Sequence, residues 1–261
     1  LYLNSIGMLN LILQKLAENQ TFPKIYAKKP YSHSLYTRPT LIKQLHYCLK
    51  TSVLITRKAL LKSFRIGRRW GVAYQFSDDW KDVVLRKSTR IKNPKNSFLA
   101  DPFLVRNGGR DIIFVEDFNF KNKKACIAAI EIESPESYKF LGPILEEDFH
   151  LSYPYIFEVG DELFMCPETQ QNNDIRLYKC IEFPMKWVFH KILIPGISAV
   201  DTNVFRYNGM WWMMTNLSSE NSGEFDSELH IFYADEFDSN NWTPHKNNPV
   251  IFDSMKARNG G

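Results

Sequence analysis

The chain has 261 residues, with 44% hydrophobic and 14% aromatic content and a net charge of +4, a composition ordinary for a globular protein with a sizeable core. No run of about 18 apolar residues occurs, so no transmembrane helix is expected, and no secretory leader is expected from the first residues. Cysteines at positions 48, 126, 166 and 180 form no C-x-x-C pair and match no zinc spacing, and no H-x-H or H-x-x-x-H pattern occurs, so neither a metal nor a cofactor is expected.

The net charge conceals two halves. Between Asn19 and Ser77 there are twelve Lys or Arg and no Asp or Glu, whereas from Asp78 onward 20 basic residues face 28 acidic ones. Asymmetry of this kind marks segments with separate partners. Leu3, Ile6, Leu9, Leu13 and Leu16 recur at helical spacing and predict a helix over residues 1–18. An irregular connection follows, and Leu41, Leu45, Leu49, Val53, Leu60 and Phe64 predict a second helix over 39–65, with Pro39 suited to its first turn. That helix is amphipathic and basic. A plain linker helix and one lying on an anionic membrane surface through residues 38–69 are both open; nucleic acid is not expected, because no binding motif accompanies the charge. Beginning with Leu1, the chain is expected to be an internal piece of a longer protein.

From residue 70 the pattern changes to β. "WGVAYQFSDDW" at 70–80 has the character of the third and fourth strands of a blade that lacks its first half. Three stretches then repeat: "DPFLVRNGGRDIIFVEDF" from Asp101, "YPYIFEVGDELFMCPET" from Tyr153 and "DTNVFRYNGMWWMMTNL" from Asp201, starting 52 and 48 residues apart. Each reads as a hairpin with a Gly-bearing turn. A third strand follows at 125–132, 175–180 and 228–235, and after the second and third copies comes a Trp-bearing fourth element. Four strands at a period near 50 is the signature of a β-propeller. The expected fold is all-β, a five-bladed propeller over residues 70–261 with an incomplete ring, preceded by a basic helical linker over 1–69. The final "KARNGG" falls where a further first strand would begin.

In a propeller the start of each first strand and the end of each second strand share one rim of the central funnel. Asp101, Tyr153 with Glu168, Asp201 and Arg258 therefore converge, with Glu116, His150 and Trp212 nearby; at Tyr153-Pro154 and Pro167-Glu168 the prolines are expected to stop the ladder where a ligand-facing loop begins. Asp101, Glu168 and Asp201 are the candidate catalytic residues. His150, Tyr153, Trp212, Arg258 and Glu116 are candidate substrate contacts. Carboxylates grouped with aromatics are the chemistry of sugar binding and glycoside cleavage. An Asp at a strand start can also simply cap its own turn.

At these residues the sequence resembles a known family. "FLADPFLV", "HLSYPYIFEVGDELFMCPE", "FPMKW", "VDTNVFRYNGMWWMMT", "NNPV" and "KARNGG" are similar to the five-bladed propeller domain of the glucosamine inositolphosphorylceramide transferase N-terminal family, over roughly residues 70–261. The resemblance implies a bacterial arrangement in which a formyltransferase-like domain and a basic helical linker precede the propeller, with residues 1–69 similar to the end of that domain and the linker. It also implies similarity to the propellers of glycoside hydrolase family 43, which use a base Asp, a pKa-setting Asp and an acid Glu on successive blades. Asp101 fits the first position; Tyr153, with Glu168 beside it, and Asp201 depart from the other two.

The reading is a glycan- or glycolipid-recognising propeller of a multidomain transferase in cell-surface sugar or glycolipid biosynthesis, cytoplasmic and peripheral to the membrane. Asp101, Glu168 and Asp201 would accept hydrogen bonds from sugar hydroxyls. One alternative is a family 43-like glycosidase or transglycosidase with Asp101 as base and Glu168 as acid. The other is a scaffold for protein contacts, which an uncharged, occluded funnel would favour.

Overall fold

The computed structural model describes residues 39–63, 70–218 and 225–260, with residues 9, 12, 13, 16 and 17. Contacts divide the chain between residues 69 and 70 into two compact units.

In the first unit, helix α1 spans Leu41–Ser63. Thr40 stands before it, and its hydroxyl accepts the Lys43 N–H at 3.5 Å, satisfying one of the donors that a helix start leaves open. Ile42, Leu45, Leu49, Val53 and Leu60 lie along one side and are exposed. Leu49, Val53, Thr56 and Leu60 border an apolar groove of about 550 Å³. Lys43, Lys50 and Arg57, seven residues apart, flank that side. Residues 9, 12, 13, 16 and 17 are helical; the rest of the helix expected over 1–18, and the connection after it, lie outside the described residues.

The second unit is built of sheets. Strands β1 (Ala73–Tyr74) and β2 (Thr89–Arg90) form an antiparallel pair. The half-blade expected within 70–80 therefore closes through residues 89–90, and residues 80–82 and 85–87 between the two strands are short 3-10 turns. Three blades follow. The first is β3 (Ser97–Asn107), β4 (Arg110–Asn119), β5 (Lys124–Ser134) and β6 (Ser137–Leu145). The second is β7 (Ser152–Val159), β8 (Glu162–Glu168), β9 (Asp174–Glu182) and β10 (Lys186–Pro195). The third is β11 (Ala199–Tyr207), β12 (Met210–Leu217), β13 (Glu228–Ala234) and the short outer strands β14 (Thr243–Pro244) and β15 (Ile251–Phe252). Within each blade successive strands pair antiparallel in chain order, which is the propeller meander, except that β15 joins the third blade on β13, beyond the stretch paired with β14.

Turn chemistry sets the hairpins. Tyr207 pairs with Met210 across Asn208 and Gly209, whose φ values of 49° and 82° suit the two-residue turn that matches strand twist. The inner strands carry unbroken apolar runs, such as Ile112–Val115 and Leu163–Cys166, buried throughout, because neighbouring blades cover both faces of each sheet. One core lies between the half-blade and the first blade, around Leu99, Val115 and Ile130. Another joins the first and second blades through Phe114, Tyr178 and Trp187. A third joins the second and third through Phe164, Trp211, Met213 and Phe232. These faces hold the blades together, and at the strand ends beyond them the buried residues are polar, among them Ser152, Asp201, Thr215 and Asn216.

Candidate functional site

Each first strand carries the same irregularity near its start. Ala100 pairs with Glu116 and Phe103 with Phe114; Ser152 pairs with Glu168 and Tyr155 with Cys166; Val200 pairs with Asn216 and Asn203 with Met214. Two residues on the first strand thus oppose one on the second, which is a β-bulge. The first bulged residue is Asp101, Tyr153 or Asp201, and each has a left-handed backbone, with φ of 47°, 45° and 53°. Non-glycine residues avoid this region, and such strain is held where a site needs it.

This corrects the reading of the prolines. Pro102 and Pro154 sit inside continuous strands as second bulge residues, and Pro167 is the single residue opposite the second bulge. The ladder requires no amide donor there, so proline is tolerated without ending the strand. The bulge instead turns the side chain of its first residue, and Glu116, Glu168 and Asn216 hold the matching places on the second strands.

These ends enclose a cavity of about 510 Å³, lined by Asp101, Pro102, Phe103, Ser152, Tyr153, Glu168, Asp201, Arg258, Asn259 and Gly260. Five of the eight residues singled out from sequence meet there: Asp101, Tyr153, Glu168, Asp201 and Arg258. Glu116 lies behind the cavity, buried and hydrogen-bonded to the Asp101 carboxyl. His150 stands beside it, with Nε2 3.5 Å from Glu116 Oε1. The His150 Nδ1 accepts the Ala125 N–H at 3.2 Å, which leaves the proton of the neutral ring on Nε2, facing Glu116. Trp212 is not part of the site. It pairs with Phe205 near the opposite turn, and its indole donates to the Tyr207 carbonyl, about 14 Å along the strand from Asn216 at the usual rise.

Arg258 does not simply await a ligand. Its Nε binds Asp201 Oδ2 at 2.5 Å, with the Asp201 side chain 9% and the Arg258 side chain 52% exposed. The segment around Arg258 is fixed by the next residue: the Asn259 side chain donates to the Asp201 carbonyl at 2.7 Å and to Asn203 Oδ1 at 3.1 Å, and its backbone N–H donates to Asn216 Oδ1 at 2.7 Å. Tyr153 donates its hydroxyl to the same Asn203 oxygen at 2.8 Å. Asn203 and Asn259 were not anticipated; neither is titratable, and only the shared repeat position of Asn216 with the two glutamates pointed toward them.

The electrostatics are those of crowded, half-dry acids. Burial first, then the nearby Asp101 and Glu168 carboxylates, push the Glu116 pKa up to about 8. Burial and Asp201 raise Glu168 to about 7, although hydrogen bonds from Ser152 and the Asp201 backbone oppose the rise. Burial raises Asp201 to about 6 against the pull of Arg258. Burial lowers the His150 pKa, opposed by Asp101, and raises the Tyr153 hydroxyl. Near neutral pH the site therefore mixes carboxylic acids that donate with carboxylates that accept. Such a set can hold an array of hydroxyls from both sides or pass a proton between carboxyl groups. Among the described residues, no cluster of His, Cys, Asp and Glu is arranged to hold a metal ion.

A family described as glucosamine inositolphosphorylceramide transferase 1, N-terminal, matches residues 71–261. Over 169 residues the chain is 33% identical to glucosamine inositolphosphorylceramide transferase 1 of Oryza sativa subsp. japonica and 31% identical to that of Arabidopsis thaliana, covering 64% of this chain and 22% of each relative. The chain thus spans about a fifth of the length of these relatives. Among solved structures, Zg3597, a family 117 glycoside hydrolase produced by the marine bacterium Zobellia galactanivorans, matches with a TM-score of 0.51 at 11% identity, covering 70% of this chain and 62% of that one. At that identity the likeness is one of fold.

Proposed function

The chain belongs to the glucosamine inositolphosphorylceramide transferase 1 N-terminal family, and from that premise we propose that its propeller binds the carbohydrate part of a glycan or glycolipid within a transferase of glycolipid biosynthesis. The observation that carries the proposal is the cavity of about 510 Å³ walled by Asp101, Glu168, Asp201 and Tyr153. Its volume suits one or two sugar rings. Its carboxyl groups supply donors and acceptors held on strained, pre-set backbone, so little ordering accompanies binding. An acid-lined, open cavity gives no support to a purely protein-binding scaffold. Calorimetric titration with a panel of mono- and disaccharides, glucosamine and N-acetylglucosamine among them, is the test. Binding that weakens at least about tenfold in both Asp101→Asn and Glu168→Gln supports the proposal; no heat with any sugar at millimolar concentration rejects it.

A second reading rests on Glu168 and Asp101 lining the same cavity. Glu168, raised to about 7, has the pKa expected of a general acid at neutral pH, and Asp101 is the candidate base on the adjoining blade. Turnover of an aryl glycoside, lost in Glu168→Gln and Asp101→Asn, would promote the propeller from binding to glycosidase or transglycosidase chemistry; turnover surviving in both removes this reading.

The proposal extends to placement. No helix among the described residues is long and apolar enough to cross a membrane. The exposed apolar side of α1, flanked by Lys43, Lys50 and Arg57 with no acidic residue in the helix, is suited to lying on an anionic cytoplasmic leaflet. Co-sedimentation with phosphatidylserine vesicles that falls as salt rises, and falls further in Lys50→Glu/Arg57→Glu, is expected. Equal binding to neutral vesicles contradicts it.

A further inference from the structure

An aromatic cluster adjoins the acidic site and has no part in it so far. Phe98 and Phe118 face each other across β3 and β4 and stack at 5.0 Å with an interplanar angle of 19°. Phe120 completes the group, with ring centroids 5.7 Å from Phe98 and 5.9 Å from Phe118, and is 41% exposed. Strand geometry fixes where this group points. Side chains alternate along a strand, so Glu116 and Phe118 share one face of β4, with Phe118 about 7 Å further toward the rim. His150 touches both: its ring centroid is 5.9 Å from that of Phe118, and its Nε2 is 3.5 Å from Glu116. On the opposite face of this hairpin, Leu99 is fully buried in the core shared with the half-blade. Phe98 and Phe118 are instead left partly open at the upper end.

The geometry points to Phe98 and Phe118 as a second carbohydrate subsite, in which the apolar face of a further sugar ring stacks on the aromatic shelf while its neighbour occupies the acid-lined cavity. This rests on the proposed sugar-binding role of that cavity and deepens it. The ligand is then an oligosaccharide, or a glycolipid head of at least two rings, rather than a monosaccharide. Three features select this occupant. The shelf continues the face that carries Glu116 and is joined to it through His150. Glu116, which backs the cavity, and Phe118 are about one sugar ring apart along β4 at the usual strand rise. The shelf also changes character, from carboxyls that bond hydroxyls to aromatic rings whose outer faces, those turned away from the Phe98–Phe118 stack, take up C–H surfaces. Phenylalanine offers no hydrogen bond, so the second ring would be held by stacking and only loosely selected by its hydroxyl pattern. His150, with its Nε2–H beside Glu116, would stand at the joint between the rings, near the bridging glycosidic oxygen.

The experiment is a calorimetric comparison of mono- and disaccharides on the full chain, using glucosamine and chitobiose, and galactose and β-1,3-galactobiose. The disaccharide of at least one pair is expected to bind about tenfold more tightly than its monosaccharide, the worth of one aromatic contact. Phe118→Leu, which keeps apolar volume under the sheet, should abolish that advantage and leave monosaccharide affinity within about twofold. Phe118→Tyr should restore it. Equal affinity for both lengths in the unaltered protein overturns the shelf and leaves the cavity's role standing, as does a Phe118→Leu loss of the same size for both. Failure of every sugar to bind removes the cavity reading itself, and the shelf with it.

Discussion

Glu116 is the residue at which the electrostatic account can be put to a quantitative test. Its carboxyl ordinarily titrates at 4.5, and in the folded chain burial and the Asp101 and Glu168 carboxylates raise that to about 8. At pH 7 the unfolded chain has this group ionised, while the folded chain holds it protonated. Folding therefore takes up a proton at pH 7, well above the ordinary value of 4.5, at a cost of about 3 kcal/mol. The sign follows from linkage: a raised acid pKa contributes stability below about 4.5, and that contribution is lost as pH rises toward about 8. Glu116→Gln keeps the shape and can still donate to the Asp101 carboxyl, yet needs no proton. It should stabilise the protein by up to about 3 kcal/mol at pH 7 and by less than about 1 kcal/mol at pH 5. Urea denaturation of both proteins at pH 5, 6, 7 and 8 measures the gap, which should widen steadily with pH. A gap independent of pH, or a variant increasingly destabilised above pH 6, would refute the reasoning that Glu116 is a buried, proton-bearing carboxyl.

Other residues carry separate expectations. Arg258→Ala leaves Asp201 buried without its 2.5 Å partner; a loss of about 1–2 kcal/mol is expected at pH 8, and a smaller one at pH 5, where Asp201 is protonated, by thermal melts at the two values. Asp101→Gly removes the carboxyl but suits the φ of 47°, so stability should hold or rise by up to about 1 kcal/mol while sugar binding falls at least about tenfold. Trp212→Phe, altered far from the cavity, should leave sugar affinity within about twofold by calorimetry.

Much of the propeller could be seen in the sequence because the strongest local signals coincide with its inner strands. Asn208-Gly209 and Gly108-Gly109 mark turns that few other residues can make, and the runs between them are apolar because both sheet faces are covered. Outer strands have weaker signals. Ser137–Leu145 in the first blade has no tryptophan and exposes much of its length, so it was not anticipated, and Thr89–Arg90 pairs across a gap no local pattern reveals. The convergence of Asp101, Glu168 and Asp201 followed from the repeat alone, since equivalent positions of a radial fold meet at one rim. The bulges did not, although Asp-Pro and Tyr-Pro were in view: a proline tells that an amide is unused but not whether the strand ends or kinks. Trp212 was misplaced because its distance from the rim depends on hairpin length, not on residue type. Asn203 and Asn259 meet through a tertiary hydrogen-bond network that joins residues 56 apart in sequence.

The position of a bound sugar on the propeller is the most direct test of the proposed role. A crystal structure of the chain with a bound disaccharide should place one ring within hydrogen-bond distance of the Asp101, Glu168 and Asp201 carboxyls. A ligand bound elsewhere on the propeller, with that cavity filled only by water, would contradict it.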